Sequence, residues 1–111
     1  MVLSIVVRKT RVRERGEWEG RLRAALPRIL EVLRGQPGFL SLQYLWGVHG
    51  DGQMGQLTRW QTLEDCQRYV REGGAATVAA YEDLALPTAP YPDGTWLRYT
   101  FEVVEAEGAQ S

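Results

Sequence analysis

The stretch from Gln36 to Gln67 constrains the fold more than any other part of this chain. Pro37-Gly38-Phe39 opens an apolar and aromatic run through Leu40, Leu42, Tyr44, Leu45, Trp46 and Val48. Gly50-Asp51-Gly52 reverses the chain, and residues 53–60 return and close on Trp60. Two strand-like runs around a Gly/Asp turn predict a β-hairpin. Gln61-Thr62-Leu63-Glu64-Asp65-Cys66 then reads as a helix start, with Thr62 and Asp65 at capping-box spacing.

The flanks supply one half-unit on each side of this hairpin. Residues 3–12 alternate Leu3, Ile5 and Val7 with Ser4, Val6, Arg8 and Thr10, the period of a strand. From residue 14 to 34, Trp18, Leu22, Ala25, Leu26, Ile29 and Leu33 recur at helical spacing and predict one apolar stripe. Pro27 removes a helical hydrogen bond and predicts a kink or a re-start, Gly35 reads as the C-cap, and Pro37 prevents continuation. In the second helix Leu63, Cys66 and Val70 mark the expected buried stripe, and Gly73-Gly74 ends it. Residues 75–84 suggest a short helical piece with Val78 and Tyr81 inward, and Pro87, Pro90, Pro92 and Asp93-Gly94 a rigid loop. Residues 95–104 alternate Leu97, Tyr99, Phe101 and Val103 with Trp96, Arg98, Thr100 and Glu102 and predict the last strand.

The order is strand, helix, strand, strand, helix, strand. With right-handed crossovers this gives an α+β, ferredoxin-like βαββαβ arrangement, a four-stranded antiparallel sheet with both helices on one face. Its other face lacks cover, and the strands carry apolar residues on both sides. A soluble monomer rarely shows such a patch, so sheet-to-sheet homodimerisation is expected.

With 111 residues the chain reads as a single domain, 1–111, able to bury roughly two thirds of its unfolded surface. A net charge of −1, with Glu14, Glu17 and Glu19 interrupting the N-terminal arginines, argues against a nucleic-acid module. Cys66 is the single cysteine and excludes an intramolecular disulfide or a cysteine-based metal site, which points to a reducing, cytoplasmic setting. The apolar run of residues 1–7 is followed by arginines rather than a cleavage site, and no stretch reaches membrane-span length, so no membrane association is expected.

The helix before Gln36-Pro37-Gly38-Phe39, together with the hairpin ending in Arg59-Trp60-Gln61-Thr62-Leu63-Glu64-Asp65, resembles the antibiotic biosynthesis monooxygenase superfamily of dimeric α+β barrels. The resemblance implies a homodimer joined through the open sheet face. It also implies a cofactor-independent monooxygenase-like protein that binds or oxidises a small aromatic or quinone-type molecule. A non-catalytic dimeric binding or stress-response module of the same fold is the alternative. The heme-degrading branch pairs a Trp at the position of Trp60 with a first-strand Asn and a second-helix His; this chain has no Asn, and its second helix offers Cys66, Gln67 and Arg68 instead.

Several side chains have both a structural and a chemical reading. Trp60 is a core aromatic or a pocket wall that stacks on a planar ligand. Arg98 needs a partner in mid-strand, with Glu102 or an acidic ligand as candidates. Tyr44, Trp46 and Tyr81 are core residues or the lining of an apolar pocket between sheet and helices. Trp60 and Arg98 are the candidate catalytic residues; Trp60, Tyr44, Trp46, Arg98 and Tyr81 are the candidate ligand contacts. His49, the single histidine, falls in the hairpin tip and reads as a solvated turn residue, so no metal site is expected and no cofactor is implied. Cys66 is a structural buried thiol or one activated near a helix N-terminus.

Overall fold

A computed structural model describes residues 1–10, 12–73, 77, 88–89 and 97–108. Its elements are β1 (Val2–Thr10), α1 (Arg15–Arg34), β2 (Phe39–Trp46), β3 (Gln53–Trp60), α2 (Leu63–Glu72), β4 (Thr88–Ala89) and β5 (Leu97–Glu102). β1 is central. It pairs antiparallel with β3 on one side and with β5 on the other, and β2 pairs antiparallel with β3 at the edge. This is the α+β ferredoxin-like order, with four long antiparallel strands and the two helices α1 and α2 among the described residues. The two-residue β4, where a proline loop was expected, is an addition to it. β5 pairs with β1 only from Val2 to Val7, and β4 continues that edge against Lys9 and Thr10.

α1 runs unbroken through Pro27, so of the expected kink or re-start the re-start does not occur. Its buried stripe of Trp18, Leu22, Ala25, Ile29 and Leu33 spans both sides of the proline, and that packing outweighs a missing bond whose cost is about 3 kcal/mol. Gly35 caps the helix in an ordinary αR conformation. The left-handed residue comes later, at Gly38, with φ of 79°.

Gly38 and Trp60 meet in space. Gln61 N–H donates to the Gly38 carbonyl (2.9 Å), the Phe39 ring stands edge-on to Trp60 (5.7 Å, 67°), and a Cβ at Gly38 would overlap the Asp65 carboxyl group. Thr62 is extended and accepts the Asp65 backbone N–H on Oγ1 (3.1 Å), which caps α2. The two sequence motifs are therefore one junction, fixing the start of β2 to the end of β3 and the start of α2.

The other end of the hairpin is tied to the β1–α1 connection. Thr10 N–H donates to the Gly52 carbonyl (2.8 Å), and Arg13 Nη1 donates to the carbonyls of Thr10 (2.9 Å) and Asp51 (2.6 Å). β2 ends at Trp46 rather than at Val48, which is 87% exposed in the turn. β5 likewise ends at Glu102, and residues 95–96 lie outside the described residues.

A bulge between Phe39 and Ser41 sets the faces of β2. Leu40 drops out of the pairing and is exposed, and Phe39 joins Leu42, Tyr44 and Trp46 against the core. α2 differs as well. It buries Cys66 and Tyr69, while Leu63 and Val70 stay partly exposed. Among the described residues no helix is long and apolar enough to cross a membrane.

Candidate functional site

Strand register sorts the side chains into rows across the helix-covered face. Phe39–Trp60–Val2–Glu102 form one row and Leu42–Thr58–Ser4–Thr100 the next. Tyr44–Gln56–Val6–Arg98 and Trp46–Met54–Arg8 follow. The covered face is unusually polar for a core. Ser4, Arg8, Thr10, Gln56 and Thr58 are all buried there, Arg8 with 4% of its surface exposed.

The opposite face is the apolar one. Its rows are Leu45–Gly55–Val7, Gln43–Leu57–Ile5–Tyr99 and Ser41–Arg59–Leu3–Phe101. Among the described residues no helix covers them, and Tyr99 and Phe101 are 44% and 52% exposed. Arg59 Nη1 donates to Gln43 Oε1 (2.5 Å) on this side.

The fold separates the sequence-derived site residues. Trp60 has no exposed surface: it stacks on Tyr69 (5.0 Å, 26°), meets Phe39 edge-on and donates its indole N–H to Thr58 Oγ1 (2.9 Å). Tyr69 is held in turn by a hydrogen bond between its hydroxyl and that of Thr77. Tyr44 and Arg98 share a row but stand at its two ends, three strand spacings or about 14 Å apart. They cannot both touch one small ring. Tyr81 lies outside the described residues, as does Trp96.

Tyr44 and Trp46 do come together, at the α1–β2 edge. With Trp18, Leu22 and Leu26 they line a cleft of about 260 Å³ rimmed by Arg15, Glu19 and Arg23. The Trp18 and Trp46 rings are 4.9 Å apart and tilted by 35°, and Trp18 Nε1 donates to Met54 Sδ (3.3 Å). Trp18 is thereby a fixed back wall, and Tyr44 and Trp46 remain half-buried, with surface left to contact a ligand. Arg15 and Glu19 form an ion pair at 2.7 Å across the rim. Leu26 and Tyr44 also border a shallower neighbouring cleft running toward Arg34 and Leu40.

Arg98 belongs to the opposite edge, where α2 faces β5. Its Nη1 donates to Ser4 Oγ at 3.4 Å, and no ion pair joins it to Glu102 among the described residues. Leu63, Cys66, Gln67, Val70 and Arg71 of α2 and Arg98, Thr100 and Glu102 of β5 border a cleft of about 410 Å³. Burial pushes the Cys66 thiol above its ordinary value of 9.0, and the Ser4 hydrogen bond and the Arg98 charge oppose that only in part. Cys66 is a protonated structural thiol near neutrality.

His49 is exposed in the hairpin turn and lines none of these clefts. Among the described residues no group of three His, Cys, Asp or Glu side chains could hold a metal ion. Sequence reasoning did not single out Arg8, Gln56 and Thr58 as a buried set. The available signal was their placement in alternation on the same strand faces as Val6 and Trp60.

No protein-family model matches the sequence, and no match to a curated protein is found. Solved structures do match. The chain is similar to a structure from Deinococcus radiodurans assigned to the antibiotic biosynthesis monooxygenases, with 18% identity, 100% of each chain covered and a TM-score of 0.66. It is similar to SnoaB, a cofactor-independent oxygenase from Streptomyces nogalater, with 13% identity, 95% of this chain and 94% of that chain covered and a TM-score of 0.62. It is also similar to the heme-degrader MhuD from Mycobacterium tuberculosis, with 27% identity, 97% of this chain and 100% of that chain covered and a TM-score of 0.59.

Proposed function

We propose that this chain, which has the fold of the antibiotic biosynthesis monooxygenases, acts as a homodimeric, cofactor-independent monooxygenase on a small aromatic or quinone-type molecule. The observation that carries this reading is the α1–β2 cleft, where two half-buried aromatics and a fixed tryptophan converge beneath charged groups. A planar ring stacks on Trp46 and Tyr44, and the guanidinium of Arg23 and the Tyr44 hydroxyl face the charge that develops on its oxygen. Ionisation of an acidic ring C–H, with the proton passing to Glu19 at the rim, leaves a carbanion delocalised as an enolate. One electron passes from it to O₂, and the two radicals combine as a peroxide anion that takes the proton back from Glu19. The hydroperoxide loses water with the second hydrogen of that carbon to leave a carbonyl. The substrate supplies the electrons, so the protein's part is to bind, orient and stabilise the enolate. Trp60 acts from the core, holding β3 and α2 in place behind the cleft.

The test is a panel of anthrones and hydroquinones followed by tryptophan fluorescence and oxygen uptake. The reading expects quenching and one O₂ consumed per carbonyl formed, with oxidation slowed at least tenfold in Trp46→Ala. Absence of both quenching and oxygen uptake across the panel overturns it.

Quenching without oxygen uptake would select the second reading, a non-catalytic binding module. The position of His49 favours that reading, because the single histidine does not line the cleft. Similarity to MhuD raises heme degradation as a third reading. α2 carries no histidine and its Cys66 is 1% exposed, so hemin titration is expected to leave the Soret band unshifted.

A further inference from the structure

We infer that the cleft between α2 and β5 is a carboxylate-recognition site for a small organic acid with an apolar body, separate from the aromatic cleft at the opposite edge of the sheet. Its border explains why α2 does not bury the stripe its sequence suggests. Leu63 and Val70 are 38% and 37% exposed because they face this opening, where they form apolar walls.

The charges are arranged along the cleft. α2 returns along the sheet after β3, and β5 runs in the same direction as β3, since both are antiparallel to β1. The two borders are therefore antiparallel. Leu63 and Arg71 stand about 12 Å apart along the helix, and Arg98 and Glu102 about 13 Å apart along the strand. Arg71 and Arg98 are thus rooted at one end, Leu63 and Glu102 at the other, with Cys66, Gln67 and Thr100 between, and the Arg98 guanidinium reaches toward Ser4 and Cys66.

The cationic end has no protein carboxylate to satisfy it among the described residues. Arg15, Arg21 and Arg68 each pair with an acid three or four residues away on their own helix. Arg98 instead makes one long hydrogen bond, 3.4 Å to Ser4 Oγ, and Arg71 forms no ion pair there. Two guanidinium groups with donors to spare, beside an amide and a hydroxyl, are the donor set that binds a carboxylate. The Cys66 thiol, kept protonated by burial, adds no negative charge to the floor. Glu102 repels a second anionic group at the far end and accepts from a hydroxyl or ammonium placed there. A volume of about 410 Å³ suits one ring or a short chain besides the carboxylate.

The experiment is a titration of the full chain at low ionic strength, read by calorimetry and by amide shifts, with 4-hydroxyphenylacetate and its neutral analogue 4-hydroxyphenylethanol. The acid is expected to bind at least tenfold more tightly than the alcohol, with shifts centred on Gln67 and Thr100. Arg71→Gln and Arg98→Gln should each weaken it about tenfold, and Glu102→Gln should leave unsubstituted phenylacetate bound as tightly or more so. Arg71 is on the exposed last turn of α2, so its variant folds even if Arg98→Gln does not. Equal binding of acid and alcohol, shifts centred on Tyr44 and Trp46, or wild-type affinity in Arg71→Gln would each overturn the inference. No turnover is read, so failure here leaves the oxygenase reading standing, and failure of that reading leaves this one intact.

Discussion

The two faces of the sheet differ in where their polar groups sit. The face under α1 and α2 buries Ser4, Arg8, Thr10, Gln56 and Thr58, whereas the face turned away from them carries Leu3, Ile5, Val7, Leu45, Leu57, Tyr99 and Phe101. Burying hydroxyls, an amide and a guanidinium costs free energy unless each is hydrogen-bonded, and leaving a contiguous apolar surface in water forfeits roughly 25 cal/mol for every Å². Thr10, Thr58 and Ser4 accept hydrogen bonds from Val12 N–H, the Trp60 indole and Arg98, so it is the open face that is uneconomical in an isolated chain. The difference makes sense if the open face meets a second copy and the covered face is shaped for polar contacts as well as packing.

Substitutions can break this comparison in order of size. Trp60→Ala on the covered face removes the aromatic that joins Phe39, Thr58 and Tyr69, and is expected to cost about 3–5 kcal/mol in denaturant melts. A loss under about 1 kcal/mol would show that the core is centred elsewhere. Phe101→Asp on the open face should do little to a monomer, within about 0.5 kcal/mol, but should weaken a face-to-face dimer by about 100-fold in sedimentation. An unchanged association state would mean that this face is solvent-exposed in solution.

Gly38→Ala acts on the junction below both faces. Its left-handed backbone and the overlap with Asp65 predict a loss of about 2 kcal/mol, read as a lower denaturation midpoint. The smallest effect is that of pH on Cys66. Its pKa is raised in the folded state, so the folded chain holds this proton more tightly than the unfolded one. Stability from this group is intact below pH 9.0 and declines as pH rises from there through the folded value. Melts between pH 8 and 10, a range of about one unit on each side of the ordinary thiol value, should therefore fall less steeply for Cys66→Ala than for the natural chain. Parallel slopes would contradict a buried, protonated thiol.

The element order was legible in the sequence because period-2 and helical patterns are local, and Thr62 was legible as a cap for the same reason. The motifs around Gly38 and Trp60 carry the family resemblance, and the structure gives the physical basis: Gly38 must be left-handed and close to Asp65, and Trp60 must fill the space beside Phe39 and Tyr69. What depended on register was not legible. The Leu40 bulge exchanges Phe39 and Leu40 between faces, and no local pattern announces it. Tyr44, Arg98 and Trp60 each looked fit to contact a ligand, yet only cross-strand pairing reveals that Tyr44 and Arg98 stand at opposite edges and that Trp60 is enclosed. Leu63 and Val70 fit a buried stripe by spacing and instead border an opening, because β5 leaves a gap beside α2.

The covering of the apolar face by a second copy is tested most directly by the mass of the natural chain in solution, measured by light scattering at micromolar concentration. A mass twice the 12.6 kDa of one chain is the expected result. A mass of 12.6 kDa at that concentration would contradict it, leaving Leu3, Ile5, Val7 and Phe101 on an open surface.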